Sequence, residues 1–179
     1  MGIIRDQSIK NSISFYIGMI IGAVNTILIY PNVFNDQPEH WGLLSILVAY
    51  ATVVSTFSTL GIPQIVIRFF PAIEEKGQLF FLSFIIPFIG FLIVTSCCYF
   101  FKEELFFHLN VSPILESNFI YIFVLILFIS FYNVLNTISR SYLDAATPIF
   151  LNEVFLKLYC LGILLLHGFK FIDFSLFLL

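Results

Sequence analysis

Long runs without ionisable side chains are the feature that most restricts what this chain can fold into. Asp, Glu, Lys and Arg are absent from four stretches of 25, 28, 25 and 23 residues. These stretches are Asn11–Asn35, His40–Ile67, Gly77–Phe101 and Ser117–Ser139. Each exceeds the ~20 residues that a helix needs to cross ~30 Å of hydrocarbon. Because barrel strands are about ten residues long and alternate in polarity, the runs predict membrane-spanning helices.

Two further apolar segments extend this pattern. A fifth carries Glu153 and Lys157, and a sixth starts near Ile172 and reaches Leu179. We therefore predict an all-α fold, a polytopic membrane helix bundle with about five complete transmembrane helices and the beginning of a sixth. The predicted helices cover about 12–33, 42–66, 78–101, 118–139, 148–167 and 172–179.

Composition excludes several classes of protein. Apolar residues make up 60% of the chain, and charged residues only 11%, whereas soluble domains carry roughly 25% charged residues. A soluble enzyme or a nucleic-acid-binding protein is therefore not expected, and no nucleic-acid partner is predicted. The three His residues fall in separate predicted loops, and no Walker or G-x-S-x-G motif occurs. We predict no catalytic residue, no metal and no cofactor.

The distribution of Lys and Arg predicts the orientation in the membrane. With Lys157 left out, five of these residues lie on the N-terminal side of the predicted helices and two on the other. Positive residues are retained on the cytoplasmic side of a membrane. The N-terminus is therefore predicted to be cytoplasmic, in a multi-pass protein of the cell inner membrane.

Small and polar residues recur at helical spacing on the first, second and fourth predicted helices. One interpretation is a polar cavity, and the other is close helix packing through a Gly18-x-x-x-Gly22 seam. Phe, Leu and Ile make up most of the third helix, so we expect it to face lipid. The polar residues predicted to line the cavity are Asn11, Ser14, Asn25, Thr52, Thr56, Asn133 and Thr137.

Lys157 is the most unusual single residue, since it lies ~14 Å from Pro148 along a helix and so near the membrane midplane. Ionisable residues at this depth usually face a cavity or a partner. Lys157 is predicted to hold an anionic substrate group, with pairing to Glu153 or snorkelling as alternatives. Arg68 and Arg140, at predicted cytoplasmic helix ends, either reflect topology alone or attract phosphate to a cavity mouth.

Several short motifs occur in an order that resembles one family. A polar stretch opens the first helix, and Glu39–Gly42 is similar to a P-E-x-Y-G motif before the second. The second helix continues into Ser58–Pro63 and Ile67–Pro71, similar to an LG-x-x-x-A-I-x-R-Y stretch. With Arg140–Ala145 after the fourth helix, the chain resembles the N-terminal part of Wzx-type polysaccharide flippases. These belong to the multidrug/oligosaccharidyl-lipid/polysaccharide exporter superfamily.

The resemblance implies a function in polysaccharide biosynthesis and export. Members move a lipid-linked oligosaccharide of the isoprenoid pyrophosphate type across the membrane by alternating access between two six-helix lobes. Arg68, Arg140 and Lys157 would hold the anionic headgroup, and Asn25 and Asn133 would contact sugar. Residues 1–179 would form a single transmembrane lobe, the N-terminal fragment of a two-lobe transporter. Its partners would be the lipid-linked oligosaccharide, membrane lipids, and a missing C-terminal lobe or partner subunit.

Three alternatives stay open. A drug/cation antiporter of the same superfamily is one, although the first helix lacks the acidic residue that such relatives commonly carry between Lys10 and Asp36. A membrane glycan polymerase or transferase is another, and it would need a large outer loop with clustered ionisable residues. A membrane scaffold without transport activity is the third.

Overall fold

The described part of the chain is helical. The structure is a computed structural model that describes residues 2–34, 38–104 and 113–168, and no strand occurs within these ranges. Two π-helical turns, Asn25–Ile29 and Leu151–Phe155, interrupt longer helices. The α-helices are α1 (Gly2–Val24), α2 (Tyr30–Val33), α3 (Pro38–Ser58), α4 (Ile62–Phe69), α5 (Lys76–Phe100), α6 (Pro113–Ser117), α7 (Ile120–Ser141), α8 (Ala146–Phe150) and α9 (Leu156–Gly168).

Within the described residues, five helical segments are long and apolar enough to cross a membrane, which confirms the prediction of an all-helical fold with five helices of membrane length. The predicted helix at 172–179 lies outside the described residues. We call the five segments spans 1 to 5; they are Arg5–Val33, Glu39–Ser58, Lys76–Phe100, Ile120–Ser141 and Ala146–Leu166.

The second predicted helix, 42–66, is interrupted in the structure. Helix α3 ends at Ser58 and α4 begins at Ile62. Between them Leu60 and Gly61 have positive φ angles of 49° and 76°. Residues in the left-handed conformation cannot continue a right-handed helix. Pro63, in the first turn of α4, also has no backbone N–H with which to continue the hydrogen bonds of α3. The long apolar run therefore folds as one span followed by a short second helix.

The described residues form two compact units. The first unit is drawn from residues 1–42 and 143–179, and within it span 1 packs along span 5. The second comprises residues 43–142, in which α4 packs against both α5 and α7. In the second unit, a cluster of buried apolar side chains joins Ile62 and Val66 of α4 to Val134 of α7.

Span 3, which the sequence predicts to face lipid, has one face that is buried against other helices of the chain. Ser83, Pro87 and Gly90 are buried at helical spacing. The Ser58 hydroxyl donates a hydrogen bond to the carbonyl of Pro87 at 3.3 Å. A Cβ atom at Gly90 would lie 2.2 Å from the backbone oxygen of Ser58. The end of α3 therefore packs directly on the backbone of span 3.

Candidate functional site

Lys157 lies in an ion pair inside span 5. Its ammonium group is 2.7 Å from Oε2 of Glu153, one helical turn earlier. The ammonium also donates a hydrogen bond to the backbone carbonyl of Gly18 on span 1, at 3.1 Å. The Lys157 and Glu153 side chains keep 33% and 21% of their surface exposed. The pairing with Glu153, one of the alternatives predicted from the sequence, is therefore present. Gly18 is a second partner of Lys157.

Gly18 allows the two helices to approach at this pair. A Cβ atom at position 18 would lie 2.5 Å from the backbone oxygen of Glu153, closer than real contacts allow. One turn further, a Cβ atom at Gly22 would lie 3.6 Å from the Lys157 ammonium nitrogen, at ordinary contact distance. The Gly18-x-x-x-Gly22 seam thus joins span 1 to span 5 of the same chain.

Asn25 contacts the same stretch of span 5. Its side-chain amide donates to the backbone carbonyl of Lys157 at 3.1 Å, and the residue is only 4% exposed. Its buried Oδ1 atom has no hydrogen-bond partner among the described residues. A buried, unpaired amide oxygen costs free energy, so it marks a position where an incoming donor is favoured.

Both halves of this site lie next to π-helical turns. Asn25 opens the turn Asn25–Ile29, and Glu153 is the central residue of the turn Leu151–Phe155. A π turn bonds residue i to i+5 and so widens the helix locally, and such turns are frequent at functional sites. We call this arrangement the span 1–span 5 site. It consists of Gly18, Gly22 and Asn25 on span 1 and Glu153 and Lys157 on span 5.

Arg68 and Arg140 lie in the second unit. Both are exposed, in the last turns of α4 and α7. The rings of Phe70 and Tyr142, each two residues further on, are 4.9 Å apart. Lys76 stands over both rings, 4.7 and 5.5 Å from their centroids. These contacts place the two arginines and Lys76 at one end of the second unit.

The other predicted cavity residues divide between buried and exposed positions. On span 1, Ser14 is buried and Asn11 is half-buried. On span 4, Thr137 is buried and its hydroxyl donates to the carbonyl of half-buried Asn133 at 2.8 Å. On span 2 the two threonines are exposed and bond to their own helix, Thr52 to the carbonyl of Val48 and Thr56 to that of Val53.

The structure brings together Asn25, predicted to line the cavity, and Lys157, predicted to hold the anionic group. Sequence reasoning did not place Gly18 as a partner of the lysine, although its spacing from Gly22 indicated a close helix contact. The buried face of span 3 was also missed; its only signal was the 4- and 3-residue spacing of Ser83, Pro87 and Gly90.

Comparison with known proteins identified no relative. No family model, no curated protein and no solved structure matches the chain. The resemblance to the flippase family therefore rests on the motifs of this sequence alone.

Proposed function

We propose that the chain is a membrane transport protein that helps move a lipid-linked oligosaccharide of the isoprenoid pyrophosphate type across the cytoplasmic membrane. One observation carries this proposal: a lysine in the middle of an apolar span is held between a carboxylate and a backbone carbonyl. At ~1.5 Å per residue, Lys157 lies ~16 Å from Ala146, about half of a ~30 Å hydrocarbon layer. Ionisable groups at that depth are costly, and they are typical of substrate and ion pathways.

The chemistry of the pair suits a phosphate ligand. An ammonium group has three N–H donors, and hydrogen bonds to Glu153 and Gly18 use two of them. The remaining N–H donor of Lys157 is available to an anionic group. Such a group can reach it because about one third of the side-chain surface is exposed. In this proposal a pyrophosphate oxygen replaces the Glu153 carboxylate as the counterion of Lys157.

The proposal is tested by replacing Lys157 in the cells that carry the gene. Lys157→Gln should reduce surface glycan and cause lipid-linked precursor to accumulate, whereas Lys157→Arg should retain part of the activity because it keeps the charge. Lys102→Gln is the matched control, since Lys102 lies just beyond span 3. Membrane blots give the protein level of each variant. Unchanged glycan and precursor in Lys157→Gln, at normal protein level, would overturn the proposal.

Glu153 favours a second candidate function, ion-coupled export of a cationic amphiphile. A carboxylate at this depth is the group that binds a proton or a metal cation in coupled transporters. In that case Glu153→Gln should abolish ion-gradient-driven dye efflux from vesicles and leave surface glycan unchanged. Loss of glycan with unchanged efflux would instead exclude the antiporter.

A further inference from the structure

A cavity of about 570 Å³ lies in the first unit, and its lining includes none of the five residues of the span 1–span 5 site. It opens where the beginning of α1 meets the beginning of α8. Five polar residues line it, and among them Lys10 and Asp144 carry opposite charges. The polar lining residues are Gln7, Lys10, Ser14, Asp144 and Thr147.

The polarity of the lining changes with depth. Lys10 immediately precedes the charge-free run of span 1, and Asp144 lies two residues before span 5 begins. Both charges are therefore at the level where hydrocarbon meets water. Ile13, Phe150 and Leu151 line the cavity further along the same two spans. Ser14 is the polar lining residue at that depth, so the cavity is charged at the interface and mainly apolar below it, which suits an amphiphile.

The mouth of the cavity is held in place by its own residues. The Gln7 side chain donates a hydrogen bond to the carbonyl of Leu143 and accepts one from the backbone N–H of Ala145 at 3.4 Å. The Asp144 carboxylate accepts the backbone N–H of Thr147 at 3.1 Å. The loop between spans 4 and 5 is thus tied to span 1, so that Asp144 is fixed relative to Lys10.

Asp144 is negatively charged at neutral pH. Hydrogen bonds from the Thr147 hydroxyl and backbone, together with the nearby charge of Lys10, hold the pKa of Asp144 below its usual value. A carboxylate accepts several hydrogen bonds at once, so the bond from Thr147 is compatible with a cationic ligand. The cavity therefore presents one cation, Lys10, and one anion, Asp144, whose carboxylate is held by the hydrogen bond from Thr147.

We propose that this cavity binds the headgroup of a zwitterionic phospholipid that carries a primary ammonium group. The phosphate lies at Lys10, the ammonium lies at Asp144, and an acyl chain follows Ile13, Phe150 and Leu151. An anionic lipid gains the attraction of Lys10 but meets the repulsion of Asp144. A quaternary ammonium headgroup keeps its charge but has no N–H to donate to the carboxylate.

Native mass spectrometry of the full chain with defined lipids tests the proposal. The protein is equilibrated with phosphatidylethanolamine, phosphatidylcholine and phosphatidylglycerol of identical acyl chains, and bound lipid is counted. We expect phosphatidylethanolamine to be retained about tenfold better than phosphatidylglycerol, the factor that corresponds to one charge-assisted hydrogen bond. Retention of phosphatidylcholine should be intermediate.

Two variants assign the binding to the cavity. Asp144→Asn keeps an oxygen to cap Thr147 but removes the charge, and it should abolish the preference for phosphatidylethanolamine over phosphatidylglycerol. Lys10→Gln should lower retention of both lipids. Asp6→Asn is the matched control, because Asp6 is an exposed acid at the same end of span 1 with Arg5 at 4.0 Å. It should leave the preference unchanged.

Three results would overturn the proposal: equal retention of the three lipids by the native chain, a preference for phosphatidylglycerol, or the same effect from Asp6→Asn as from Asp144→Asn. Circular dichroism verifies the helix content of each variant. If Asp144→Asn loses helix content, the test rests on Lys10→Gln. Unchanged lipid retention in Lys10→Gln would then reject the site.

Discussion

Gly18 and Gly22 lie one turn apart on span 1, and their surroundings predict opposite responses to an added methyl group. Gly18→Ala should lower the free energy of unfolding by about 1–3 kcal/mol, because the new Cβ would meet the Glu153 backbone at 2.5 Å. Gly22→Ala should be neutral or stabilising by up to about 1 kcal/mol, because space exists and alanine favours helix. Unfolding in detergent followed by circular dichroism measures both. Equal stability of the two variants would show that the helices do not meet at Gly18.

The Lys157–Glu153 pair predicts a marked non-additivity. Lys157→Met alone should cost about 2 kcal/mol of unfolding free energy, since it leaves Glu153 partly buried without its cation. The double variant Lys157→Met/Glu153→Met should lose less unfolding free energy than the sum of the losses in the two single variants. The measurement is a double-mutant cycle from unfolding in detergent.

The matched comparison for this cycle is Arg5 with Asp6, whose side chains are 79% and 65% exposed at 4.0 Å. Exposed pairs are worth little, so the Arg5–Asp6 coupling energy should stay within about 0.5 kcal/mol of zero. A coupling energy of the same size for both pairs would contradict the burial of the Lys157–Glu153 pair.

At the scale of elements, the break between α3 and α4 depends on left-handed backbone. Gly61 has a φ of +76° with no atom within 4 Å of an added Cβ, so Gly61→Ala tests backbone conformation without a steric clash. We expect a loss of about 1 kcal/mol in unfolding free energy. Gly42→Ala is the control, because it has equal space within helix α3; it should be neutral or stabilising. Tolerance of Gly61→Ala equal to that of Gly42→Ala would indicate that the helix is not broken there.

The same break shows what the sequence could predict about elements. Span lengths followed from the charge-free runs because the thickness of hydrocarbon sets the length of an apolar helix. The end of α3 did not, since the run without ionisable residues continues through Gly61 as far as Ile67. Gly61 and Pro63 were the local signals for a helix end, but the predicted boundary at 66 followed hydropathy instead. Boundary positions depend on backbone geometry, which hydropathy does not describe.

The candidate sites show the same division. The Glu153–Lys157 pair was predictable because both residues lie four apart on one helix. Neither the contact of Lys157 with Gly18 nor the presence of Lys10 and Asp144 in one cavity was predictable, because each involves residues more than 130 positions apart. Sequence periodicity identifies the faces of a helix, but the partner of each face depends on how the helices pack.

At the scale of the whole molecule, the charge distribution predicts a cytoplasmic N-terminus. Cysteines introduced at Glu39 and Glu75, after replacement of the three native cysteines by serine, should lie on opposite sides of the membrane. A membrane-impermeant thiol reagent added to spheroplasts should label position 39 and should label position 75 only after lysis. A cysteine at Asp6 is the control and should behave like position 75. Labelling of positions 39 and 75 from the same side would reject the topology.

The ion pair of span 5 also has an electrical consequence. Because Glu153 and Lys157 cancel each other, span 5 carries no net charge at mid-depth while the pair is closed, and the membrane potential does no work on it. Moving one elementary charge across the membrane is worth about 2.3 kcal/mol per 100 mV. In a membrane, any step that separates the ammonium from the carboxylate along the membrane normal would therefore depend on voltage, whereas the closed pair would not.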